Sequence, residues 1–211
     1  MITAGHTKQQ DNIYQAYAEG ILGDILYAEE QYKDAADHYG KALKTYENHL
    51  KSATGPESIV LVAAVQLISY TALNNPVNDL LVQYSCRRAL AMTERLLGPE
   101  STDTADCMFN LATANMIKND TGRGTEGLLL RALQIYQDDS SRQDNQSLHA
   151  IAKKGTFDVM AQMYIRRKEY QNAKNSLHRI VDMVNAGFLH GDETIEEIKT
   201  LGALYMVRRS F

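Results

Sequence analysis

Apolar and small residues recur along this chain with the step of an α-helix, and turn-forming clusters interrupt them at intervals. Tyr39, Ala42, Leu43, Tyr46 and Leu50 stand at i, i+3, i+4, i+7 and i+11, which is one face of a helix with 3.6 residues per turn. The same kind of stripe returns with Leu80, Leu81, Tyr84, Ala89 and Leu96, then with Met108, Leu111, Ala112 and Met116, then with Leu128, Leu129, Ala132, Leu133 and Tyr136. Further on, Ala161, Tyr164, Tyr170, Ala173, Leu177 and Ile180 fall at offsets 0, 3, 9, 12, 16 and 19. Turns are marked by Gln31-Tyr32-Lys33, Gly55-Pro56, Asn74-Asn75-Pro76, Gly98-Pro99 and Asn119-Asp120-Thr121-Gly122. A glycine caps a helix C-terminus and a following proline cannot continue it. Ser58 opens one helix as a cap, and Ser101 or Thr102 opens another. The β-branched run from Ile59 to Tyr70 continues apolar to Leu73, a length that predicts helix rather than strand. The polar stretch from Asp138 to Ser147 reads either as the longest loop or as a frayed helix end.

The stripes belong to a larger repeat. Gly55-Pro56-Glu57-Ser58 returns 43 residues later as Gly98-Pro99-Glu100-Ser101, and Arg88-Ala89-Leu90 returns at the same offset as Arg131-Ala132-Leu133. Lys41-Ala42-Leu43 is an earlier copy, 47 residues before the second. A fixed period of about 20–50 residues marks stacked supersecondary units. We therefore expect an all-α fold of about four and a half units and about nine main helices, paired as antiparallel hairpins, with the last unit starting after Gly191-Asp192-Glu193 and carrying Leu201, Gly202 and Tyr205. Gly23, Ala35 and Ala42 would let helices approach closely, with Tyr39 filling the space beside them. Residues 1–15 form a polar N-terminal segment, and residues 16–211 the repeat domain.

Composition narrows the function. Three prolines in 211 residues favour helix, since an interior proline costs about 3 kcal/mol. The net charge of −4 and the absence of a basic patch predict no nucleic-acid partner. No apolar run approaches the ~18 residues of a membrane span, and residues 1–15 contain no arginine and no apolar signal core. Cys86 and Cys107 are too far apart for a metal knuckle and fall at inward positions of helices. Buried free thiols of this kind fit the cytoplasm or another reducing compartment, the mitochondrial matrix included. The six histidines, among them His38 and His178 on outer helices, form no i, i+4 pair with a nearby carboxylate, so neither a metal site nor a metal-dependent reaction is expected. Phosphate loops, dinucleotide fingerprints and nucleophile signatures are missing as well. We expect no catalytic residue and no cofactor.

The spacing of Gly or Ala, Tyr, Ala, aromatic or Leu, and Ala across a helical hairpin resembles the tetratricopeptide repeat. The segments RALAMTERLLGPESTDTADCMFNLATANM and RALQIY, with their longer period, resemble the kinesin-light-chain type of that repeat. The resemblance covers roughly Ala16 to Tyr205. It implies a right-handed superhelical solenoid that binds peptides or proteins on a concave face lined by the first helix of each hairpin. Carried over by position, that face holds Tyr17, Asp24 and Tyr27, then Gln66 and Tyr70, then Asp106, Phe109, Asn110 and Thr113, then Asp158, Gln162 and Arg166. The residues expected to contact a partner are Tyr27, Tyr70, Phe109, Asn110, Gln162 and Arg166. Only Asn110 and Arg166 fit the pattern by which chaperone-docking members of this repeat hold a terminal carboxylate. Asn110 is either such a contact or a brace for the backbone.

Three functions suit these features. The first is a non-catalytic scaffold or adaptor that holds a polypeptide on its concave face. The second is an accessory or assembly subunit built permanently into a large multiprotein complex. The third is a regulator that changes shape when a short peptide binds.

Overall fold

The computed structural model of the chain describes residues 3–50, 79–143 and 145–207. All regular structure among these residues is helical. In chain order the helices are α1 (Thr3–Ala28), α2 (Tyr32–Leu50), α3 (Asp79–Leu96), α4 (Thr102–Ile117), α5 (Arg123–Arg142), α6 (Ala150–Arg166), α7 (Tyr170–Asn185), a 3-10 turn (Gly191–Thr194) and α8 (Ile195–Val207). The helix expected over 59–73, its flanking turns, and the candidate residues Gln66 and Tyr70 lie outside the described residues, as do the side chains of Leu43, Leu50, Leu80, Leu81 and Tyr84. The chain forms two compact units, Met1–Pro99 and Glu100–Phe211. No helix among the described residues is long and apolar enough to cross a membrane.

The repeat expresses itself as one burial pattern. The second helix of each hairpin hides four positions at offsets 0, 4, 7 and 11. In α2 these are Ala35, Tyr39, Ala42 and Tyr46; in α3, Val82, Cys86, Ala89 and Thr93; in α5, Thr125, Leu129, Ala132 and Tyr136. In α7, Ala173, Leu177 and Ile180 are buried and the fourth position, Val184, is half-buried. Offsets of 4, 7 and 11 return to one side of a 3.6-residue helix, so each second helix presents a single narrow stripe to its neighbours. Each large stripe residue contributes about 1.5–3 kcal/mol by leaving water. Neither cysteine is in a disulfide and both are buried, Cys86 as a stripe member and Cys107 on α4.

The hairpin turns are equally regular. Glu30, Asn119 and Lys168 take left-handed backbone angles, φ 61°, 61° and 63°. In each case the next residue's N–H bonds to the carbonyl five residues back: Gln31 to Leu26 at 2.8 Å, Asp120 to Asn115 at 2.9 Å, and Glu169 to Tyr164 at 2.8 Å. This is the Schellman closure, which satisfies carbonyls that a helix end would otherwise leave open. The α1–α2 turn sits at residues 29–31, and Tyr32, expected in the turn, is the first residue of α2. At the end of α7 the left-handed residue is Gly187 (φ 76°), and the Phe188 N–H reaches the Met183 carbonyl at 2.9 Å.

Other expectations are corrected in detail. The polar stretch after Asp138 is helical to Arg142, so the loop before α6 is shorter than the composition implied. Ser101 is the cap of α4, its hydroxyl accepting the Thr104 N–H at 3.1 Å. Tyr170 fits the stripe by spacing, yet it is the first residue of α7 and 40% exposed. There it lies ahead of the turn that meets the neighbouring helix. Tyr205, carried by the last unit, is exposed and meets His178, Nε2 to hydroxyl at 2.7 Å. His38 on α2 is half-buried, and its Nδ1 lies 2.6 Å from Glu19 Oε2.

Candidate interaction face

Within the second unit, α4 and α6 pack directly against one another, and α8 joins the same side through Lys154 on α6, whose Nζ lies 2.7 Å from Glu197 Oε1. Gly155 of α6 faces the Phe109 ring of α4. A Cβ built there would lie 3.6 Å from the Phe109 ring, in ordinary contact, so a longer side chain at 155 would push the ring aside. Phe109 is accordingly half-buried, one side of its ring fringing the core formed by Ala112, Met160, Ala161 and their neighbours. Asn110 is also half-buried, and its amide makes no hydrogen bond among the described residues. Thr113 is turned to its own helix, its hydroxyl donating to the Phe109 carbonyl at 3.0 Å.

On α6, Gln162 is exposed and donates to Asp158 Oδ2 at 2.9 Å. Burial raises the Asp158 pKa above the usual carboxylate value; the nearby Glu197 charge adds to this, and the Gln162 hydrogen bond opposes it. Asp106 on α4 keeps an exposed edge. The helices packed around its carboxylate still raise its pKa, against the hydrogen bond it accepts from Tyr136. That bond is short, 2.5 Å, and ties α5 to α4. His149, at φ 60° just before α6, lays its ring 5.4 Å from the Tyr136 ring, and its Nε2 meets Asp139 Oδ2 at 2.9 Å.

The end of α6 is bound to the preceding turn. The Arg166 guanidinium donates to the Met116 carbonyl at 2.6 Å, in the last turn of α4, with Asn119 Oδ1 at 3.5 Å. Arg167 donates to the Thr121 carbonyl and to Glu126 Oε2, the latter at 2.6 Å. The Tyr164 hydroxyl donates to the other oxygen of Glu126 at 2.7 Å. The Arg167 bond, then the Tyr164 bond, holds the Glu126 pKa below the usual value, while burial and Glu126 push the Tyr164 phenol up to about 12. Inside the same turn Asn115 donates to the Thr125 hydroxyl at 3.2 Å, which donates to the Asp120 carbonyl at 3.1 Å.

The candidate residues thus have different surroundings. Phe109 lies against Gly155 where α4 and α6 meet, Asn110 is half-buried on α4, Gln162 is exposed on α6, and Arg166 is spent on a helix end. Tyr27, in the first unit, is half-buried near the end of α1. Asp24, carried over with it, accepts the Tyr39 hydroxyl at 2.7 Å. The braces Tyr136–Asp106 and Arg167–Glu126 were not anticipated. Their partners lie 30 and 41 residues apart, and no local pattern joins them. Among the described residues no group of His, Cys, Asp and Glu side chains is placed to hold a metal ion.

Stacked antiparallel hairpins with a common buried stripe and a common turn define an all-α helical-repeat protein. No family model matches the chain, and no curated protein matches it. Among solved structures it is similar to BtubC (BKLC) from P. vanneervenii. That likeness has a TM-score of 0.65 at 16% identity and covers 96% of this chain and 85% of the other. The all-α fold of antiparallel helical hairpins expected from the repeat is the fold found among the described residues.

Proposed function

We propose that this protein is a non-catalytic interaction scaffold that holds a polypeptide on the face carrying Phe109, Asn110 and Gln162. The observation that carries the reading is Asn110: a half-buried amide that makes no hydrogen bond among the described residues, next in sequence to the half-buried Phe109. An amide offers two donors and an acceptor, the complement of a peptide backbone, and an aromatic neighbour supplies contact area at low entropic cost. Gln162 extends the same polar line on α6. The test is capture of partners from native cells by the wild-type chain and by Asn110→Ala, alone and with Phe109→Ala. A partner that uses this face weakens by at least about tenfold, roughly 1.4 kcal/mol, while Asn110→Ala leaves the melting temperature in place. Undiminished capture by both variants would remove the reading.

A second reading, a permanent subunit of a larger complex, is favoured by α1. Tyr14, Tyr17 and Ile25 are 68%, 63% and 50% exposed and repeat on one side of that helix. Large apolar residues grouped in this way mark association surfaces. Light scattering on the isolated chain separates the two readings: a scaffold is monodisperse, and an orphaned subunit aggregates.

A further inference from the structure

The side of the second unit opposite the α4–α6 contact carries a cleft that none of the foregoing uses. It lies between α5 and α7, with α6 beneath it, and has a volume of about 660 Å³. That is within the ~300–1,000 Å³ of ligand sites. Leu133, Phe157, Met183 and Phe188 give it an apolar floor, and all four are half-buried, so part of each faces the opening. Gln134 and Gln137, exposed and one helical step apart on α5, stand along one edge; the Gln134 amide donates one N–H to Asp138 Oδ1 at 2.8 Å and keeps its carbonyl and second N–H for a ligand.

Two cations line this cleft without a carboxylate partner. Lys153, half-buried at the start of α6, has its Nζ against the neutral Ser140 hydroxyl at 2.6 Å and forms no ion pair among the described residues. Arg179, exposed on α7, forms none either. The acids nearby do not serve them. Asp139 is occupied by His149 at 2.9 Å and Gln143 at 3.0 Å, and Asp182, one turn from Arg179, makes no ion pair with it. Burial holds the Lys153 pKa below the usual lysine value, against the pull of the Asp139 charge. A carboxylate brought into the cleft would relieve that cost.

We propose that the α5–α7 cleft binds an extended peptide segment in which an acidic residue stands beside a large apolar one. The apolar side chain sits on the floor, the carboxylate reaches Lys153 and Arg179, and the glutamine amides pair with the peptide's own N–H and C=O groups. Such recognition combines pocket filling with charge-assisted hydrogen bonds. An open cleft edged by amides suits a chain better than a compact acid, which has no backbone to pair with them. This site is separate from the Phe109–Asn110 face and does not depend on it.

The probe is a displayed library of random linear peptides, selected on the full chain and depleted on Arg179→Glu. Arg179 is exposed, so this change leaves the fold alone. Peptides that survive carry Asp or Glu next to Leu, Phe or Met. A labelled survivor binds the wild type, and loses at least about tenfold in affinity with Arg179→Glu and with Lys153→Gln. It weakens as salt is raised and binds Phe109→Ala/Asn110→Ala unchanged. If Lys153→Gln fails to fold, the Arg179→Glu comparison decides. The proposal is overturned if no peptide survives depletion, if survivors lack carboxylates, or if the Phe109/Asn110 variant loses them. Free glutamate competing as well as the peptide would also overturn it, by making the cleft a small-acid site.

Discussion

In the hairpin α1–α2 the second stripe position is Tyr39; in α4–α5 it is Leu129. Both side chains are nearly inaccessible, at 2% and 0%, but they are housed differently. The Tyr39 ring lies flat on α1 because residue 23 is glycine: a Cβ there would stand 2.6 Å from its ring, well inside contact distance. Its hydroxyl then reaches Asp24. Leu129 packs in a core with Ala112 and Met116 and has no such requirement. The α4–α5 hairpin places its tyrosine at the fourth stripe position instead, where Tyr136 reaches Asp106. One helical repeat therefore accepts different shapes at one position, provided the facing helix supplies the complementary space. Gly23 on the facing helix is structural in the first hairpin; Gly127, on the same helix as Leu129, faces no such ring, and a Cβ there meets nothing within 4 Å.

The sharpest way to break this comparison is Gly23→Ala. Forcing a methyl against a buried ring typically costs 1–3 kcal/mol, and the gain in helix propensity returns about 1 kcal/mol at most. A net loss of about 1–2 kcal/mol is expected in chemical denaturation. Tyr39→Leu, which copies the second hairpin, should recover much of it; additive effects of the two changes would show that the ring and the glycine are not coupled.

Glu126→Gln probes the brace of the second unit. The glutamate pKa lies below its ordinary 4.5 because Arg167 and Tyr164 bond the carboxylate. A depressed pKa contributes stability that is complete above the unfolded value and is lost as pH falls through the folded one. The variant should therefore be less stable at pH 7 by about 1 kcal/mol, with the gap closing below about pH 4.5. A gap that persists unchanged at pH 3 would mean that packing, not charge, explains it.

Gly127→Ala carries the smallest effect and the opposite sign to Gly23→Ala. At an open helical position the exchange should stabilise the chain by about 0.5–1 kcal/mol. A loss of stability would reveal a contact at residue 127.

Much of the core was readable along the chain. Ala132, Tyr136, Ala173, Leu177 and Ile180 were expected inward and are buried, because a helix converts local spacing directly into one face. Tyr170 shows where that logic stops: spacing assigns a residue to a stripe but does not say whether the neighbour extends far enough to cover it. The interaction face was less readable. Arg166 occupies the right register on a first helix, yet its long side chain bends to a carbonyl fifty residues earlier in sequence. The cleft between α5 and α7 left no mark in the sequence, since Lys153 and Arg179 belong to different helices and neither sits in a motif.

The order of hydrophobic, small and turn-forming residues by itself determined that the described residues are helical, that the helices pair as hairpins, and part of what each second helix hides, such as Ala89, Ala132 and Ala173. These are consequences of backbone hydrogen bonding and of a 3.6-residue period, both local. That Val82, Thr93 and Thr125 complete the stripes was not readable in that order. Only the tertiary structure decided which ionisable groups meet. Glu126 with Arg167, Asp106 with Tyr136, and the two cations left without a carboxylate in the cleft all depend on helices brought together from distant parts of the chain. There, flexible side chains settle on whichever acceptor the packing puts within reach.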